Sequence, residues 1–93
     1  MIKTFADKQT AAFYLGLHVR EFSGQWMQVA RSKLAMLNRA VTLDDLRVPP
    51  GNRLEKLSGD RDGQYSIRIN NQWRICFRFD GGNAYDVEIV DYH

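Results

Sequence analysis

The chain has 93 residues, 44% hydrophobic and 26% charged, with a formal net charge of +2, a composition that excludes a disordered chain. That length makes a single domain, residues 1–93, with a modest core and room for an open cleft or an exposed sheet face but not a large enclosed cavity. Its longest apolar run, AAFYLGL, falls far short of the about 20 residues of a membrane span, and MIKTFADKQT has no apolar h-region, so neither a membrane segment nor a signal peptide is expected. The single cysteine, Cys76, excludes an internal disulfide and suits a reducing cytoplasm. One cysteine and two histidines offer no zinc set, so no metal or other cofactor is expected.

MIKTF, with Ile2 and Phe5 among polar residues, predicts a short first strand. A helix follows over ADKQTAAFYLGL, capped by Asp7, with Ala11, Ala12, Tyr14 and Leu15 as an apolar stripe and Gly16 near its end. From Gln25 to Ala40, Trp26, Val29, Ala30, Leu34 and Leu37 recur at steps of three or four, which is the amphipathic-helix pattern; Ser23 is its expected cap. Pro49, Pro50 and Gly51 then force a turning path. Beyond them the period becomes two. RLEKL reads as a short strand, and SGDRDG as a turn that an Asp60–Arg61 ion pair would brace. QYSIRIN and QWRICFRF read as a hairpin, DGGN as a glycine turn, and AYDVEIVDYH as the last strand. This order predicts an α+β domain, with an N-terminal strand and two helices packed on one face of a mainly antiparallel sheet.

Residues paired across an antiparallel ladder share a face. With Ile67, Ile75 and Ile89 turned toward the helices, Arg68, Arg74, Arg78 and Tyr92 are expected on the opposite, open face. Guanidinium forks there suit phosphate oxygens, and a phenol ring suits a nucleotide base. Asp91 and His93 have the other parity, although His93 lies past the last expected ladder pair. Cys76 shares the arginines' parity but has no activating histidine motif, and reads as a packing residue. Trp26 and Trp73 read as core anchors, and Arg53 and Arg78 as solvated or facing a protein partner rather than catalytic.

The stretch RLEKLSGDRDGQYSIRINNQWRICFRF, followed by VEIVDYH, resembles the HigB branch of the RelE/ParE toxin superfamily. Four features in order carry the resemblance: L-x-G-D-R-x-G, S-I-R, W-R-I-C-F and the terminal D-Y-H. It implies a RelE-like microbial RNase-type fold and a cytoplasmic toxin of a type II toxin–antitoxin system. It further implies a metal-independent endoribonuclease that cuts messenger RNA in the ribosomal A site. A helix-turn-helix, HigA-like antitoxin would neutralise it, and operator DNA would be engaged only through that complex.

The resemblance also implies roles for particular residues. Asp91, Tyr92 and His93 match the catalytic triplet, and Arg74 matches the arginine of the W-R element. Arg68, Lys56 and Arg78 become RNA or phosphate contacts. Glu55 stands where some members have a histidine, and Ser58 where they have a lysine; Glu55 is then either a substitute general base or the ion-pair partner of Lys56 or an arginine. Cleavage through the RNA 2′-OH needs a base, charge stabilisation at phosphorus and an acid for the leaving 5′-oxygen. His93, titrating near neutrality, suits either proton role. Two rival functions lack this need: a ParE-like inhibitor of DNA gyrase requires no terminal triplet, and a plain RNA-binding module tolerates loss of His93.

Overall fold

Asp7 opens the first helix: its backbone is extended and its Oδ1 accepts a hydrogen bond from Thr10 N at 2.7 Å. Helix α1 then spans Lys8–Tyr14 in the computed structural model, which describes residues 1–92. Helix α2 spans Trp26–Arg39. Ser23 does not cap it. Gly24, at φ +109°, reverses the chain between Ser23 and the helix, and Gln25 occupies the cap position without a side-chain bond. Backbone bonds from Met27 N to Gly24 O and from Gln28 N to Gln25 O close that end instead. Ala30, Leu34 and Leu37 are buried as the periodicity predicts, whereas Val29 is exposed.

The sheet contains β1 (Glu55–Lys56), β2 (Tyr65–Arg68), β3 (Trp73–Asp80) and β4 (Asn83–Asp91), in that spatial order and antiparallel throughout. Asp80 pairs with Asn83 across Gly81 and Gly82, both at positive φ, which is the two-residue turn that matches strand twist. Ile67, Ile75 and Ile89 stand in register and are buried with Phe13, Leu34, Leu37, Leu46, Phe77 and Val87 beneath the helices. The sequence-predicted α+β architecture, with both helices on one face, is therefore present.

The expected N-terminal strand is reduced to two isolated parallel bridges beside β4, Ile2 to Ala84 and Phe5 to Val87. The interruption has a cause in β4. Asp86 sits at φ 53° in a bulge opposite Cys76–Arg78, and its N–H leaves the ladder to donate to Thr4 Oγ1 at 2.8 Å.

Between α2 and β1, the proline-rich segment forms short 3-10 turns at Leu43–Arg47 and Pro50–Asn52. Asn52 is fully buried. Its Nδ2 donates to Leu46 O at 3.0 Å, and its Oδ1 accepts from Lys33 Nζ at 2.5 Å, tying the segment to α2. This anchor fixes the next residue, Arg53, at the edge of the sheet. Among the described residues, no helix is long and apolar enough to cross a membrane.

Candidate functional site

The face of the sheet turned away from the helices carries Ser66, Arg68, Arg74, Cys76 and Glu88, paired as Ser66 with Cys76, Arg68 with Arg74, and Cys76 with Glu88. Glu55 joins that face because it pairs with Ser66. The parity expected from the sequence is present, but the face is not open. Ser66 and Cys76 have no exposed surface and Arg74 has only 8%. The cover is non-local: Arg61, in the turn after β1, reaches Glu88 on β4 at 3.2 Å, so the expected Asp60–Arg61 brace gives way to a bridge between distant segments. Burial alone would lower the Arg61 pKa, but the hydrogen bond to Glu88 and the neighbouring groups raise it.

Tyr92 completes the cover. Its N–H donates to Gln72 O, which carries the antiparallel pairing one residue beyond β4. Its hydroxyl interacts with the Cys76 thiol, and Arg74 lies over its ring at 5.9 Å, within cation–π range. Burial raises the pKa of both groups, and their mutual interaction raises that of Tyr92 further. Cys76 is thus a buried, protonated packing residue.

Arg74 is held on three sides. Its Nε–H donates to Ser66 Oγ at 2.9 Å and its Nη2 donates to Arg53 O at 2.7 Å. Glu55 Oε1 lies 3.7 Å from the same Nη2, an ion pair whose carboxylate half is 55% exposed. Of the ion-pair partners expected for Glu55, Lys56 or an arginine, it is an arginine, Arg74, that lies beside it. Where the cover stops, a cleft of ≈ 580 Å³ opens, lined by Arg53, Glu55, Arg68, Asn70, Asn71, Arg74 and Tyr92. Arg68 Nη2 donates to Asn71 Oδ1 at 2.5 Å, while Asn70 Oδ1 accepts from the N–H groups of Gln72 and Trp73 and shapes the β2–β3 turn.

Arg74, Arg68, Glu55 and Tyr92 are therefore brought together. Three other candidates lie outside this cleft. Lys56 pairs with Tyr65 and so has the opposite parity. Arg78 is roughly 13 Å along the strand from Arg74 and bonds to Asp62 O and Asp86 beside the bulge. Asp91 pairs with Trp73, on the helix side, and accepts from Gln72 Nε2 at 3.3 Å. His93 lies outside the described residues. Arg53, read from the sequence as solvated or antitoxin-facing, lines the cleft, and Ser66, Asn70 and Asn71 were given no site role; the available signal for the asparagines was their place in the hairpin turn beside the arginine-bearing strands.

A cleft lined by three arginines, with Arg74 over the Tyr92 ring, has the chemistry to take a phosphodiester with an unstacked base. Residues 3–93 match the family model described as RelE-like toxin of type II toxin-antitoxin system HigB. Over 52 residues the chain is 48% identical to Toxin HigB-1 of Vibrio cholerae, covering 56% of this chain and 55% of that one. Over 41 residues it is 46% identical to Endoribonuclease HigB of Proteus vulgaris, covering 44% and 45% respectively. These two matches span about half the length of each relative. An uncharacterized protein of Haemophilus influenzae is 38% identical over 82 residues, covering 86% of this chain and 80% of that one. In fold, the chain is similar to a chain of the YoeB-YefM complex from Staphylococcus aureus, with a TM-score of 0.62 at 18% identity, covering 100% of this chain and 98% of the other. The chain belongs to the HigB-like family of RelE-type toxins of type II toxin–antitoxin systems.

Proposed function

We propose that the protein is an endoribonuclease toxin that cuts messenger RNA in the ribosomal A site and so arrests translation and growth. The observation that carries this reading is the fixed Arg74 guanidinium, gathered with Arg68, Arg53 and Tyr92 in one cleft. A relative bearing the name Endoribonuclease HigB supports it.

In the proposed reaction the RNA 2′-oxygen attacks the adjacent phosphorus while its proton passes to a base, for which Glu55 is the candidate in the cleft. Arg74 and Arg68 stabilise the charge that grows on the non-bridging oxygens. The bond from phosphorus to the 5′-oxygen breaks, and that oxygen takes a proton from an acid, for which the sequence offers His93 with Asp91 in support. The products are a 2′,3′-cyclic phosphate and a 5′-hydroxyl, with no metal consumed or required. Tyr92 stacks on a base. A helix-turn-helix antitoxin is the proposed neutralising partner, and the protein reaches operator DNA only through it.

Primer extension on a message translated in a purified system is the test. The expected result is cuts inside the reading frame, undiminished by EDTA at a level that spares the ribosome's magnesium, with naked RNA left largely intact. Arg74→Ala should abolish them. A protein that leaves messages whole and instead blocks supercoiling by DNA gyrase would overturn the reading.

A further inference from the structure

We infer that Ser66 is a positioning residue that turns the Nη1–Nη2 edge of Arg74, and not its Nε edge, toward a phosphate in the cleft. This rests on the proposed phosphate-binding role of the cleft. A guanidinium can grip an oxyanion through either of two edges. In Arg74 the protein itself takes the Nε edge, because Nε donates to Ser66 Oγ at 2.9 Å and Nη2 donates to Arg53 O at 2.7 Å, while the exposed Glu55 carboxylate, 3.7 Å from Nη2, stands beyond them for a phosphate to displace. Both acceptors are held in place. Ser66 has no exposed surface, so its hydroxyl has no competing bond to bulk water. Arg53 is in the left-handed region (φ 46°, ψ 56°), directly after the buried Asn52 that ties this segment to α2.

The bond at Nε fixes rotation of the guanidinium plane about the end of the side chain, and the carbonyl bond fixes its tilt. A small buried residue alone does not explain position 66, since alanine would pack there without a polar atom to satisfy. The hydroxyl gives Arg74 a single orientation before ligand arrives, which removes an ordering cost from binding and from the step in which charge develops.

Two measurements test the assignment, and only one depends on cleavage. In ¹⁵N NMR spectra, the Arg74 Nε–H of the intact protein should give a slowly exchanging signal. That signal should move little when a non-cleavable 2′-deoxy dinucleotide is added, and its exchange should accelerate in Ser66→Ala. In single-turnover assays on programmed ribosomes, Ser66→Ala should lower the cleavage rate about 10- to 100-fold with KM nearly unchanged. Ser66→Thr should recover the rate by restoring the hydroxyl. Ser66→Cys, close in shape but a poor acceptor, should fail as alanine does and covers the case in which Ser66→Ala does not fold. An unprotected Nε–H in the intact protein, a large ligand shift at Nε, or full activity in the cysteine variant would overturn the proposal. Absence of cleavage by the intact protein would instead reject the nuclease reading and leave the NMR arm to decide the orientation.

Discussion

The indole of Trp26 lies on that of Trp73 with centroids 4.4 Å apart and planes 14° from parallel. One ring belongs to α2 and the other to the first residue of β3, so the stack joins the helical layer to the strand that carries Arg74 on its far side. Phe22 meets both rings edge-on, at 5.4 Å and 5.7 Å. Trp26→Ala should lower the unfolding free energy by about 2–4 kcal/mol, combining lost burial with lost ring contacts. Urea denaturation followed by circular dichroism measures this, and Trp26→Phe should recover part of the loss.

Glu55→Gln separates two roles for one carboxylate. Its ion pair with Arg74 is more than half exposed on the acid side, so the stability change should stay below about 1 kcal/mol. If Glu55 takes the 2′-OH proton, cleavage should fall by about 10²–10⁴. A thermal melt beside a cleavage assay is sufficient. Undiminished cleavage would leave Glu55 with the ion pair only.

Truncation after Asp91 should leave the fold intact, because Val87 and Ile89 keep their places in the core. Cleavage should disappear with Tyr92 and His93. Tyr92 also covers Cys76, so the shortened protein should be modestly less stable, and its thiol should react with a chromogenic disulfide reagent that spares the full-length chain. A truncated protein that still cuts messages would reject the terminal residues as catalytic.

Alkaline stability should report the same cover. Burial raises the Cys76 pKa above its ordinary 9.0 and the Tyr92 pKa above its ordinary 10.0. Both groups therefore keep their protons in the folded state at pH values where the unfolded chain releases them. Their contribution is complete below pH 9 and is lost as pH rises through the raised folded values. The melting temperature should hold between pH 7 and about 8.5 and then fall, and Cys76→Ala should flatten the first part of that fall.

Period-two patterning was enough to place Ile67, Ile75 and Ile89 on one face, and a helix cap and a glycine turn were legible as Asp7 and Gly81–Gly82. Parity also put Arg74 and Tyr92 on a common side. It could not show that Arg74 is buried, because its neighbours include the carbonyl of Arg53, 21 positions away, and the ring of Tyr92. Nor does alternation reveal a bulge. Asp86 looks like any outward strand residue, yet its positive φ shifts the pairing near Arg78. The missed Ser23 cap has the same origin, since a single glycine redirected the chain.

The bridges from Ile2 and Phe5 to β4 have a consequence for synthesis. Met1, Lys3, Thr4 and Ala6 bond to Gly82, Ala84, Asp86 and Val87, so these pairings wait for residues some 81 or 82 positions further along the chain. Such long sequence separation delays folding. Tyr92, which closes the arginine cleft, is translated later still. A chain still short of residue 92 therefore lacks the finished cleft, whatever else has already folded.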